Sequence, residues 1–131
     1  MAPGISSGEI VLINTISYRV HAPARGDIIA FSHDTPAPEI FIKRIVGLPG
    51  DHVAIAHGVV QVNGRPLDEP YVRFTDRRSF APVLVPPGSL YVLGDNRAAS
   101  DDSRFWGFVP QRRVLGKAIA GIWPPARLGT L

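Results

Sequence analysis

Lysine is rare in this chain of 131 residues, and one of its two lysines stands in an unusual setting. Lys43 lies in the apolar run 40–51, which ends in the turn-forming sequence Pro-Gly-Asp. The alternation of a β-strand places Lys43 on one face with Phe41 and Ile45. An ammonium group loses hydration there, and the pKa of a buried lysine can fall to about 5 to 6. A neutral amine can take a proton from a serine. A lysine that reaches past its apolar neighbours to water fits the same pattern.

A second group of reactive side chains lies in residues 94–110, directly after the apolar run 90–93. Turn-forming residues, acids, serines and arginines are concentrated there, which predicts a dense hydrogen-bonding loop at the end of a strand. Asp102 and Arg104 are spaced to form an ion pair, and Ser100 offers a hydroxyl to a neighbouring amine. A solvated turn with incidental ion pairs would have the same composition.

The elements that must position these side chains are predicted to be strands. Glycine and proline, 13 of each, interrupt the chain before a helical pattern can run for three turns. Short β-branched runs bounded by turn residues predict strands at residues 9–20, 27–32, 39–46, 52–57, 59–62, 90–93 and 115–123. We therefore expect a mainly β fold, a barrel or sandwich of antiparallel strands with little helix.

Turn sequences divide the rest of the chain. His57-Gly58 and Asn63-Gly64 predict the two turns of a small accessory β-meander. Residues 66–87 carry many prolines and predict an irregular, mobile excursion instead of a packed layer. Residues 124–131 predict a short C-terminal tail. A chain of this length is expected to form a single domain over residues 1–131.

Composition excludes several classes of function. The net charge of +3 is spread along the chain, so nucleic acid is not an expected partner. The absence of cysteine excludes disulfides, thiolate metal sites and cysteine proteases. The histidines have no metal-ligand spacing, and we expect neither a metal nor another cofactor. No apolar stretch reaches the roughly 20 residues needed to cross a bilayer, so these residues are expected to be soluble.

The motifs, taken in order, resemble those of the bacterial type I signal peptidases, or leader peptidases, which are proteases with a serine/lysine dyad. The similarity lies in Arg25-Gly26-Asp27-Ile28, in the sequence from Lys43 to Asp51 and in the sequence from Gly94 to Arg104. Shorter matches extend it over about residues 1–123. The resemblance implies a signal-peptidase-like β-fold and a serine endopeptidase that cleaves N-terminal signal peptides from secreted preproteins.

The resemblance also assigns roles to residues of the two motifs. It implies that Lys43 is the general base of the dyad and that Ser100 hydrogen-bonds to the lysine amine and orients it. Asp102 pairs with Arg104 to brace the site, and Arg44 is expected to join that brace.

The substrate is expected to bind as an extended strand along a sheet edge. The resemblance implies shallow pockets for small substrate residues, lined by Met1, Ile5, Phe41 and Ile42. It places the catalytic domain at the cell membrane, on the periplasmic or extracytoplasmic side, with signal peptides and the membrane surface as partners. An aromatic surface for the lipid interface is predicted from Phe105, Trp106, Phe108 and Trp123, with core packing as the alternative for each.

The chain departs from the family pattern at the nucleophile. The resemblance puts the catalytic serine directly before Met1, so the chain by itself is expected to be inactive or nearly so. Ser6 and Ser7 fall beyond the expected place and are interpreted as turn serines. Three explanations for the missing serine stay open. They are a late start of the sequence, a truncation that removes a membrane anchor, and a silent homologue that binds peptides or a partner. A self-cleaving repressor-type Ser/Lys protease is the remaining alternative, but the sequence shows neither a DNA-binding segment nor a self-cleavage site.

Overall fold

The fold was obtained as a computed structural model, which describes residues 10–15, 18, 21–33, 39–72, 74–123 and 129–130. These residues are mainly β-strand, as the sequence predicts. In chain order the strands are β1 (Ile10–Asn14), β2 (Ile28–His33), β3 (Glu39–Gly47), β4 (His52–Ala56), β5 (Val59–Val62), β6 (Arg65–Pro66), β7 (Phe80–Leu84), β8 (Ser89–Leu93), β9 (Val109–Pro110), β10 (Val114–Trp123) and β11 (Gly129–Thr130). Helix is limited, in this part of the chain, to short pieces such as α1 (Ser103–Trp106).

The strands form two antiparallel sheets. The large sheet has the order β1-β10-β2-β3-β8-β9, with β11 paired to β10, and the small sheet has the order β6-β5-β4-β7. The small sheet contains the predicted meander. Its turn residues have the positive φ angles that a two-residue hairpin turn needs, 49° at His57 and 53° at Asn63, each followed by a glycine. The mainly β, antiparallel prediction is therefore confirmed.

Strand β3 packs apolar side chains on both of its faces because its residues alternate between the faces of the sheet. Val46 belongs to a cluster that joins the two sheets, together with Val53, Val60 and Leu93. Ile45 belongs to a second cluster with residues of β2 and β8. Val46 and Ile45 are both 0% exposed. A strand packed on both faces is held rigidly, and this strand carries Lys43.

The first strand is shorter than predicted. The predicted strand 9–20 ends at Asn14, and Tyr18 is helical. Tyr18 packs against the second cluster, where its hydroxyl donates to Asp27 Oδ2 at 2.8 Å. Tyr18 lies outside the sheet, where it makes this contact with Asp27. A local apolar pattern cannot predict such a contact.

The expectation that residues 66–87 form no packed layer is wrong for β7. This strand pairs with β4, and Val85 behind it is 1% exposed. The proline of β7, Pro82, lies where the β4–β7 register shifts, on the outer strand of the small sheet, so its missing N–H breaks no regular pairing. The tail at 124–131 likewise contains a strand, β11, which pairs with β10.

Candidate active site

Lys43 lies in the middle of β3, opposite Ile29 of the neighbouring strand β2. Its Nζ atom donates to Ser100 Oγ at 3.0 Å. Burial lowers the pKa of Lys43; the carboxylates of Asp102 and Asp101 oppose this shift, and the charge of Arg104 adds to it. The site therefore shifts the protonation equilibrium of Lys43 toward the neutral amine, the form in which a lysine can accept a proton.

The approach of Ser100 to the lysine depends on Gly94. Gly94 follows β8 directly, and a Cβ atom built on it would lie 2.0 Å from Ser100 Oγ and 3.5 Å from Lys43 Nζ. Any other residue would need the space that the serine hydroxyl occupies. The glycine thus brings the loop after β8 into contact with β3.

The loop itself is organised around the carboxylate of Asp102, which is 0% exposed. Asp102 precedes α1 as its N-cap, and its Oδ1 accepts from Arg104 Nε at 2.8 Å. Its Oδ2 accepts from Gly94 N at 3.1 Å. Arg104 also donates to the carbonyl oxygens of Arg97, at 3.0 Å, and Ser100, at 3.4 Å. This pair therefore joins both ends of the loop that carries Ser100.

Arg44 does not join that pair but has a partner that the sequence interpretation missed. It forms a two-pronged ion pair with Asp95, with both nitrogen–oxygen distances at 2.8 Å. Arg44 also donates to Gly26 O at 2.9 Å. Asp95 is 0% exposed. Because a buried carboxylate needs a charged or hydrogen-bonding partner, Asp95, two positions after the apolar strand β8, was a signal for this contact.

The predicted pocket residues fall in different places. Phe41 packs with the second cluster, and Ile42 packs with Ile28 and Ala118 in a third. Adjacent strand residues point to opposite faces, so these two side chains line opposite sides of β3. Met1 and Ile5 lie outside the described residues.

Of the aromatic residues expected at a lipid interface, the three whose side chains the structure describes pack against different partners. Trp106 packs against Phe31, with ring centroids 6.0 Å apart, and Phe108 packs against Tyr91 at 6.2 Å. Phe105 is 48% exposed and contacts Phe80 edge-on. The side chain of Trp123 lies outside the described residues. Core packing therefore accounts for Trp106 and Phe108.

Two kinds of feature are absent from the described residues, a cluster of metal ligands and a membrane-spanning helix. No group of three or more His, Cys, Asp or Glu side chains in that part of the chain is arranged to hold a metal ion. The helices found there are all too short or too polar to span a membrane.

Comparison with known proteins gives one consistent family. The sequence profile described as "Signal peptidase, peptidase S26" matches residues 1–123. The chain is 42% identical to "Signal peptidase I" of Leptolyngbya laminosa, over 100% of this chain and 68% of that protein. It is 43% identical to "Probable signal peptidase I-2" of Synechocystis sp., over 100% of this chain and 62% of that protein. A further relative, "Signal peptidase I" of Bacillus caldolyticus, is 38% identical, over 95% of this chain and 75% of that protein.

A solved structure shares the fold. The crystal structure of a signal peptidase I from Enterococcus faecalis is similar with a TM-score of 0.64 and 35% identity, and the match covers 75% of this chain and 97% of that one.

Proposed function

From the premise that the chain belongs to the signal peptidase family, peptidase S26, we propose that it is the catalytic domain of a serine endopeptidase that removes signal peptides. The chain spans part of the length of its relatives, 68% and 62% for the two cyanobacterial proteins. The reaction is acyl transfer to a serine nucleophile. Lys43 is its general base.

The observation that carries this proposal is the contact between Lys43 and Ser100 within a partly buried site. Lys43 Nζ directs one proton to Ser100 Oγ at 3.0 Å. A neutral amine that donates one hydrogen bond keeps its lone pair for another group. That lone pair accepts the proton of the attacking serine, and the resulting ammonium then protonates the leaving amine. Deacylation repeats the cycle with water in place of the serine.

The residues around the dyad have supporting roles. Ser100 orients the amine, and the ion pair of Asp102 with Arg104 fixes the loop that carries Ser100. These two side chains are 0% and 2% exposed, so the pair is sheltered from solvent and from salt. The site is thereby organised before substrate arrives, which is how an enzyme keeps reorganisation out of the chemical step.

Substrate binding is proposed along an extended backbone, with shallow apolar pockets that accept small residues. Ile42, partly buried between Ile28 and Ala118, supplies one wall of such a pocket. Phe41, on the opposite side of β3, supplies a wall of a second pocket, and Met1 and Ile5 complete the proposed set. The domain acts on the extracytoplasmic side of the cell membrane, where preproteins emerge, with the membrane surface as a second partner.

The test is cleavage of a signal-peptide substrate by a form of the protein that carries the serine directly before Met1 and the segment preceding it. Lys43→Ala is expected to lower kcat by about 10²- to 10⁴-fold, the usual contribution of a general base. Lys117→Ala is the matched control, because it removes the other lysine of the chain. It is expected to leave kcat within about twofold, as its ion pair with Asp27 is surface-exposed.

The outcomes separate the alternatives. Equal rates for the parent protein and Lys43→Ala would reject the dyad. Tight binding of the peptide without cleavage, in the form with the serine, would instead identify a silent binding module.

A further inference from the structure

The connection between β6 and β7, residues 67–79, contacts the loop that carries Ser100. Glu69 pairs with the guanidinium of Arg97. Arg97 is 4% exposed, and its Nε donates to Gly94 O at 2.8 Å. Arg97 thus links Glu69 to Gly94, the glycine that leaves space for Ser100 beside Lys43.

The same connection also contacts β3. The ring of Tyr71 lies against the guanidinium of Arg44, with 3.8 Å between Cζ and the ring centroid. The Tyr71 hydroxyl donates to Glu69 Oε2 at 3.2 Å. This hydrogen bond couples the contact of Glu69 with Arg97 to the contact of Tyr71 with Arg44. Arg44 is adjacent to Lys43 in the strand and is fixed by Asp95 on its other side. Tyr71 therefore restrains the strand position next to the general base.

Two further contacts extend along the loop. Phe74 O accepts from Ala98 N at 3.2 Å, two residues before Ser100. Asp76 Oδ2 lies 3.5 Å from Arg104 NH1, on the arginine that braces Asp102. The connection therefore follows the loop from Gly94 to Arg104.

The far side of the connection is held by the small sheet. His57 N donates to Ser79 Oγ at 2.9 Å, and Gly58 N donates to Arg78 O at 3.1 Å. A Cβ atom on Gly58 would lie 1.8 Å from Asp76 O, so the tip of the β4–β5 hairpin touches the backbone of the connection. The void between them is about 10 Å³, which leaves room for at most one water.

We propose that Glu69 and Tyr71 are positioning residues, through which the small sheet holds the loop and β3 so that Ser100 stays against Lys43. This inference rests on the proposed function, since it assigns the accessory sheet a part in keeping the general base in place. The alternative is that the connection only adds to the stability of the fold.

The pKa of Lys43 distinguishes these possibilities. Loss of Glu69 as an anion lowers the pKa of a nearby amine by Coulomb's law, whereas loosening of the loop hydrates the amine and raises its pKa. The two effects have opposite signs. A change confined to stability would alter the free energy of unfolding and leave the pKa of Lys43 as it was.

The experiment measures the pKa of Lys43 by NMR in the folded chain labelled with ¹³C at the lysine ε-carbon. The chain has two lysines, so Lys43→Arg assigns both signals, and the Lys117 signal reports on folding. Glu69→Gln and Tyr71→Leu are expected to raise the pKa of Lys43 by about one unit. Tyr71→Phe keeps the ring over Arg44 and is expected to leave the pKa of Lys43 at the parent value. Asp68→Asn, at an exposed neighbouring position, is the matched control.

Kinetics of the form with the serine provide a second readout. Glu69→Gln should move the acidic limb of the pH profile of kcat upward by the same one unit, which lowers kcat about tenfold on that limb, and leave KM and the plateau of kcat at high pH unchanged. A parent-like pKa of Lys43 in both Glu69→Gln and Tyr71→Leu would overturn the positioning role, as would a fall in that pKa. If Glu69→Gln does not fold, the Tyr71→Leu and Tyr71→Phe pair decides alone. An ordinary lysine pKa in the parent chain itself would count against the general-base assignment instead.

Discussion

Lys43 Nζ and Ser100 Oγ lie 3.0 Å apart although 57 residues separate them in the chain. They meet because β3 and β8 are neighbouring strands, and the loop after β8 turns back over β3 at Gly94. The contact depends on both sheets, since the connection between β6 and β7 is held by the small sheet and contacts the loop that carries Ser100. The protonation of Lys43 therefore depends on how the tertiary structure places the loop after β8 against β3.

The stability of the protein is expected to rise with pH in the window between the pKa of Lys43 in the folded state and its ordinary value of 10.5. The folded pKa is lower than the unfolded one, so the unfolded chain binds more protons in that window. Urea unfolding at several pH values measures this slope. Lys43→Met should flatten it and Lys117→Met should keep it; an unchanged slope in Lys43→Met would contradict the prediction.

Gly94→Ala is expected to lower kcat by about 10²-fold, because its methyl group would take the place of Ser100 Oγ and move the hydroxyl away from the lysine. The measurement is a double-mutant cycle with Ser100→Gly, which removes both the hydroxyl and the Ser100 Cβ atom that would lie 2.6 Å from the new methyl group. Once both atoms are gone, Gly94→Ala should cost little more. Additive losses would show that the glycine matters for another reason.

Arg104→Met is expected to destabilise the fold by about 3 to 5 kcal/mol, because it leaves the carboxylate of Asp102 buried without its cation. Lys117→Met is the control. It removes an ion pair whose lysine side chain is 37% exposed, and should cost at most about 1 kcal/mol. Both values come from urea unfolding at neutral pH, and similar losses for the two variants would argue against a buried pair.

Asp76 should contribute to stability in a pH-dependent way. Hydrogen bonds from the side chain and backbone of Arg78, and then the charge of Arg104, hold the pKa of Asp76 at about 2, below its usual 3.8. The folded pKa is depressed, so the contribution is complete above the usual value and is lost as pH falls through about 2. The difference in unfolding free energy between the parent and Asp76→Asn should therefore shrink on acidification. A constant difference for Asp76→Asn over this pH range would refute the assignment.

Several features could be read from local patterns. The alternating apolar residues predicted β3 to within one residue at its end, and the sequences His57-Gly58 and Asn63-Gly64 predicted the turns of the small sheet because two-residue hairpins need positive φ there. The predicted strand 9–20 failed because Tyr18 leaves the sheet for a distant partner, Asp27.

The sequence by itself determined which side chains are available for chemistry and in what order they occur. It predicted the local pair of Asp102 with Arg104 but not the pairs between distant charged residues. Asp95 lies seven positions before Asp102 in the same loop, yet it binds Arg44 of β3. Glu69 finds Arg97 across the space between the two sheets. Only the tertiary structure decided these partners, because ion pairing depends on distances of a few ångströms between strands whose neighbours are set by the packing of the whole chain.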